Sequence, residues 1–186
     1  MKPVIDVHYY RRQINAELEG WLKRIGQTCP VRLIHSRYDL YMARRQCVEN
    51  FLFNDVPAGY THLIQMDDDC VPLDTTDNIL TAEGDLVYCS QPGRNGHRGH
   101  WGDGDFGCGC CRISAELAAK VGVAASFDLG LNPSRTKMVK CECRVFRDRA
   151  RELGYESKMV GDVGHYVEVV IAFDPYGKVI QRWPKG

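Results

Sequence analysis

Short apolar runs alternate with stretches of helical spacing through the first half of the chain. Val4 to Tyr9 and Val31 to His35 read as strands. Between them Ile14, Leu18, Trp21, Leu22 and Ile25 recur at helical spacing, and Gly26 stops that helix. Asp39 to Phe53 predicts a second helix, with Leu40, Ala43, Cys47 and Phe51 along its buried face. Pro57-Ala58-Gly59 turns the chain into a strand from His62 to Met66, and Asp85 to Cys89 reads as another. Ser114 can cap a helix running to Val121, with Gly122 past its end. Phe127 to Lys137 has no period. Val145, Phe146, Ala150 and Leu153 mark a later helix, ended by Gly154. Lys158 to Val160 and Tyr166 to Phe173 look like strands, and Asp174-Pro175-Tyr176-Gly177 turns the chain into a final strand, Val179 to Trp183. This alternation predicts a three-layer α/β domain with a largely parallel sheet, to which the later strands add antiparallel pairing. The 186 residues fit one domain, 1–186, with no repeat or linker.

Net charge is zero, which gives no support for a strongly nucleic-acid- or membrane-bound protein, although a local basic patch stays open. The start, Met1-Lys2-Pro3-Val4-Ile5-Asp6, has no signal-peptide pattern, and no apolar run approaches a membrane span. A cytoplasmic chain is expected. Nine cysteines without a secretion signal imply reduced thiols. Five form two tight clusters, Cys108/Cys110/Cys111 and Cys141/Cys143. The spacings C-x-C-C and C-x-C lack paired C-x-x-C knuckles, so buried free thiols are favoured over zinc ligands.

The sequence Leu63-Ile64-Gln65-Met66-Asp67-Asp68-Asp69-Cys70-Val71-Pro72 joins an apolar run to three consecutive carboxylates. Adjacent acids repel one another, and a hard divalent cation supplies the missing charge. A solvated acidic turn is the plainer alternative, but the placement at the end of a buried strand favours a metal site. On strand parity Asp67 and Asp69 share a face, and Asp68 points away, towards a ribose or neighbouring backbone. Asp162-Val163-Gly164-His165-Tyr166 offers a histidine that matters if the fold brings it to the acids. Glu142 opens the later helix, either as a partner of the helix dipole or as a general base. The segment from Pro92 to Gly109 carries seven glycines and is too long for an idle connection. In it Trp101 can stack on a sugar or base, Asp103 and Asp105 can bind hydroxyls, Arg94 and Arg98 can meet phosphates, and Gly107 adds to the same substrate surface.

The order of these features resembles a small GT-A-fold glycosyltransferase of the family 2-like kind. That order is an Arg-containing helix, a strand ending in D-x-D before a proline, a glycine-rich segment, an acid opening a helix that ends in R-x-x-G-Y, and a late G-H. The resemblance runs from about Val31 to Val167. It implies a Rossmann-like domain with a mostly parallel mixed sheet. It also implies transfer of a sugar from a nucleotide-diphosphate sugar to an acceptor hydroxyl. Asp67, Asp69 and His165 would then hold Mn2+ or Mg2+, while Arg44, Asp68, His8, Tyr9 and Arg37 would face the donor nucleotide. One departure stands out: family members often have Glu-Asp where this chain has Glu142-Cys143, and the aspartate is commonly the base. Glu142 can take that role in an inverting enzyme, or Asp103 or Asp105 in the glycine-rich segment can.

The acceptor is open. A hydroxymethylated DNA base is one candidate, with local basic support from Arg94, His97, Arg98 and His100 and against it the neutral net charge. Two other readings are a nucleotidyltransferase, which would usually show a phosphate loop near the first strand, and a non-catalytic module whose cysteines hold structural zinc. Oligomeric state, donor sugar and stereochemical outcome are left open by the sequence.

Overall fold

The structure is a computed structural model that describes residues 1–9, 14–35, 40–91, 107–131, 134, 138–166, 169–173 and 179–184. Strand β1 (Pro3–Tyr9) is followed by helix α1 (Ala16–Ile25), β2 (Val31–His35) and α2 (Leu40–Asn50), which continues into a π turn (Phe51–Asp55). Then come β3 (His62–Asp67), β4 (Cys70–Pro72), α3 (Asn78–Thr81), β5 (Leu86–Ser90), β6 (Cys110–Ser114) and α4 (Ala115–Val121). The last elements are β7 (Gly130–Leu131), β8 (Met138–Lys140), α5 (Glu142–Glu152), β9 (Ser157–His165), β10 (Val169–Phe173) and β11 (Val179–Pro184).

Seven strands make one sheet in the order β2-β1-β3-β6-β5-β9-β4. β1, β2 and β3 run parallel, β5 runs parallel to β9, and β6 and β4 oppose their neighbours. The mixed, mainly parallel α/β sheet expected from the sequence is therefore present. β10 with β11 and β7 with β8 form separate two-stranded antiparallel pairs.

Strand alternation divides the core in two. Ile5, Val7, Ile64, Met66, Val87 and Cys110 pack on α1 and α3 through Leu18, Trp21, Leu22, Ile25 and Ile79. Val4, Leu63, Tyr88, Cys111 and Ile113 pack on the other face, against Cys47, Val48 and Phe51 of α2 and its extension, Leu117 of α4 and Phe146 of α5. Helix starts follow the sequence signals. The Asn15 side chain accepts from Leu18 N–H, and Ser114 Oγ accepts from Leu117 N–H.

Three strands of the main sheet differ from the sequence expectation. β6 was hidden inside the cysteine-rich run: all five of its residues are buried, so it shows no polar alternation. It also splits that run, sending Cys110 to one face and Cys111 to the other. β4 is three residues long and has no apolar period of its own. β9 extends far beyond Lys158 to Val160, through Gly161 and Gly164 to His165. Gly161 is needed there because a Cβ would lie 2.2 Å from the Thr75 carbonyl oxygen, next to a register shift against β5.

Candidate active site at the carboxyl end of the sheet

β3 ends at Asp67, and Asp68 and Asp69 form the turn into β4. The parity argument for Asp67 and Asp69 therefore fails, because no strand continues past Asp67. The turn is fixed by its backbone instead. Asp67 N–H donates to Gly109 O at 2.8 Å and Asp68 N–H donates to His8 O at 2.9 Å. Asn15 Nδ2 donates to Asp68 O at 3.1 Å and to Cys70 O at 2.8 Å, and Tyr166 N–H donates to Asp69 O at 2.6 Å. Four segments of the chain thus hold three acids in one conformation. Asn15 also caps α1, but its hold on Asp68, across 53 residues, left no local signal.

The expected histidine arrives. β4 pairs with β9 so that Cys70 faces His165 in the ladder. His165 Nε2 lies 2.9 Å from Asp69 Oδ2, and Gln91 Nε2 reaches Asp69 Oδ1 at 3.5 Å.

Asp67 has a different partner. Arg44 sits on the buried stripe of α2 with Ala43, Cys47 and Val48, and is 1% exposed. Its Nη2 donates to both Asp67 carboxylate oxygens, at 2.7 and 2.8 Å, and its Nη1 donates to Cys108 O at 2.8 Å. Its Nε lies 3.8 Å from Glu142 Oε1, and its guanidinium carbon lies 5.9 Å from the centre of the Phe127 ring. The guanidinium is thus folded into the protein beneath the acids rather than turned out towards a diphosphate. Burial pushes the Asp67 carboxyl up to about 7; Arg44 opposes this, while Asp69 and Glu142 reinforce it.

The fit to a divalent ion is correspondingly partial. Asp69 and His165 form an oxygen-and-imidazole pair of the kind Mn2+ accepts. Asp67 turns both oxygens to Arg44, and Asp67, Asp69 and His165 do not converge into one compact donor group. Among the described residues the group that does converge is Cys141, Glu142 and Cys143, whose donor atoms lie within 4.8 Å of one another.

Of the remaining expected residues, His8 is completely buried on the Arg44 side of the sheet. Burial and the Arg44 charge hold its imidazole well below the ordinary pKa, with Gln65 opposing. Asp68 is buried at 6% exposure. Tyr9 packs edge-on against His35, with ring centres 4.9 Å apart. It also lines a cleft of about 830 Å³ with Ile14, Asn15, Glu17, Leu33 and Tyr166. Asn15 joins that cleft to the acidic turn. Glu142 starts α5, and Gly107 precedes the Cys108 carbonyl that Arg44 binds. Arg37, Arg94, Arg98, Trp101, Asp103 and Asp105 lie outside the described residues. All nine cysteines are free, as expected, and eight of them are buried. No described helix is long and apolar enough to cross a membrane.

No family model and no curated protein matches the chain. Solved structures do. The crystal structure of A197 from STIV is similar with a TM-score of 0.60 at 14% identity, covering 97% of this chain and 93% of that one. A glycosyltransferase involved in the glycosylation of the major capsid of PBCV-1 overlaps with a TM-score of 0.49 at 10% identity, covering 89% of this chain and 93% of that one. The first likeness establishes a shared fold and no more. The second is looser and carries no weight for activity.

Proposed function

We propose that this protein is a glycosyltransferase that takes a nucleotide-diphosphate sugar as donor and an acceptor hydroxyl as nucleophile. The observation that carries the reading is the Asp69–His165 pair. Two ligand-type side chains 96 residues apart meet at 2.9 Å, at the carboxyl end of a mixed α/β sheet, on a backbone fixed from four sides. Such sheets bind ligands at that end.

The donor nucleotide lies in the cleft between Tyr9 and Tyr166, and its diphosphate points to Asp69 and His165. When bound there, Mn2+ or Mg2+ neutralises charge on the departing diphosphate. Arg44 acts one step back, holding Asp67 in place and compensating the acidic turn. Glu142 is the candidate base for the acceptor hydroxyl. A hydroxymethylated DNA base serves as one acceptor to test, beside simple sugars.

The test is a thermal-shift screen of nucleotide sugars with and without Mn2+, since a ligand that binds the native state raises its stability. A metal-dependent shift by one nucleotide sugar, lost in Asp69→Asn and in His165→Gln, is the expected result. Equal shifts with and without metal would sink the metal reading. No shift from any nucleotide sugar would sink the function.

A further inference from the structure

Glu142 is flanked by Cys141 and Cys143. The three donor atoms lie within 4.8 Å of one another, and Cys143 Sγ is 3.6 Å from Glu142 Oε1. The buried Cys108 packs in the same core as Cys143 but lies outside this donor group.

We infer that Cys141, Glu142 and Cys143 form a binding site for a thiophilic divalent cation of the zinc class, with its fourth position open to water, and that filling it withdraws Glu142 from the neighbouring active site. Zinc–sulfur bonds of about 2.3 Å and zinc–oxygen bonds of about 2.1 Å in a tetrahedron place donors roughly 3.5–3.8 Å apart. One edge of the group already has that length, and the others need to contract by about 1 Å at most. The ligand set is too soft for Mg2+ or Mn2+, so the two cation sites are chemically separate.

Charge is provided for. Two thiolates and a carboxylate around one divalent ion leave net negative charge, and Arg44 stands against it. Its buried Nε has no hydrogen-bond partner and lies 3.8 Å from Glu142. As each sulfur–metal bond forms, the thiol proton passes to solvent, so uptake of the ion releases protons. A carboxylate oxygen bound to the ion cannot accept a proton from an acceptor hydroxyl. The inhibitory half of this inference rests on Glu142 being the base; the binding half does not.

The test uses the full chain, reduced and stripped of metal. Zinc is titrated in by calorimetry in buffers of different protonation enthalpy, without any nucleotide sugar. One equivalent should bind with proton release and protect Cys141 and Cys143 from a thiol reagent. Cobalt should give a thiolate charge-transfer band. Cys141→Ser, at a half-exposed position that tolerates the change, should weaken zinc at least tenfold, while Asp69→Asn should leave it unchanged. Unaltered zinc affinity in both Cys141→Ser and Cys143→Ser, or loss of zinc in Asp69→Asn, would overturn the site. In a second arm, zinc should suppress Mn2+-dependent turnover of a nucleotide sugar in the wild type and not in Cys141→Ser. Equal suppression in both would overturn the inhibition. A chain that binds zinc at these cysteines but turns over no sugar under any condition would refute the transferase reading and leave the cation site standing.

Discussion

Arg44 and Arg112 are both buried, at 1% and 0% exposure, yet they serve opposite ends of the sheet in different ways. Arg112 lies on β6, opposite Ile64. It donates to three carbonyls: Ile79 at 2.7 Å, Ala82, and Gly84 at 3.2 Å. It braces α3 and the turn before β5. Burial lowers its pKa, with Asp85 opposing. Arg44 instead binds a carboxylate with two bonds and stands near a second. Each arginine's charge helps hold a histidine neutral, Arg112 acting on His62 and Arg44 on His8. A guanidinium among carbonyls fixes backbone; a guanidinium among carboxylates sets the charge of a site.

The sharpest way to break this comparison is Arg44→Met. It strands Asp67 beside Asp69 and Glu142, so stability in urea should fall by about 3 kcal/mol or more, and turnover of the nucleotide sugar should vanish. Arg44→Lys should retain part of the stability but not the two-point hold on Asp67. If Arg44→Met unfolds no more readily than the wild type, the two arginines are equivalent and the argument ends. Arg112→Met should cost less, about 2 kcal/mol from unpaired carbonyls, with turnover per folded molecule unchanged.

A pH titration compares the two histidines. His62 is held down to about 4, first by burial and then by Arg112 and the N-terminal amine, and His8 is likewise held low. Both are neutral in the fold and bind protons in the unfolded chain from about pH 6.5 downward. The histidine contribution to stability should therefore fall as pH drops from about 6.5 to about 4, while the raised Asp67 carboxyl, protonated first in the fold, contributes in the opposite sense over the same range. The urea midpoint of His62→Asn should lose part of that slope. The smallest expected effect is that of Ser114→Ala, which removes the α4 cap, costs about 1 kcal/mol, and leaves turnover alone.

How far the site was legible depended on whether its contacts were local. The helix from Glu142 and the end of β3 were readable from period and capping. Arg44 falls in phase with Ala43, Cys47 and Val48, yet the family resemblance gave it a ligand-facing role. β6 and β4 were unreadable, because one is buried on both sides and the other is too short to show a period. The hold of Asn15 on the acidic turn, and the approach of Thr75 to Gly161, are long-range contacts without a local signature. His165 was named by resemblance, and its arrival at Asp69 depends on pairing between strands that share no pattern.

That pairing has a consequence for how the protein can change. The Asp69–His165 separation is set by a three-residue strand locked in register to β9, so it does not depend on the length of chain between them. Lengthening the surface connections within that interval adds only a logarithmic closure cost. Insertions and deletions in the intervening segments can therefore accumulate while the register of Cys70 against His165 keeps Asp69 and His165 at their spacing.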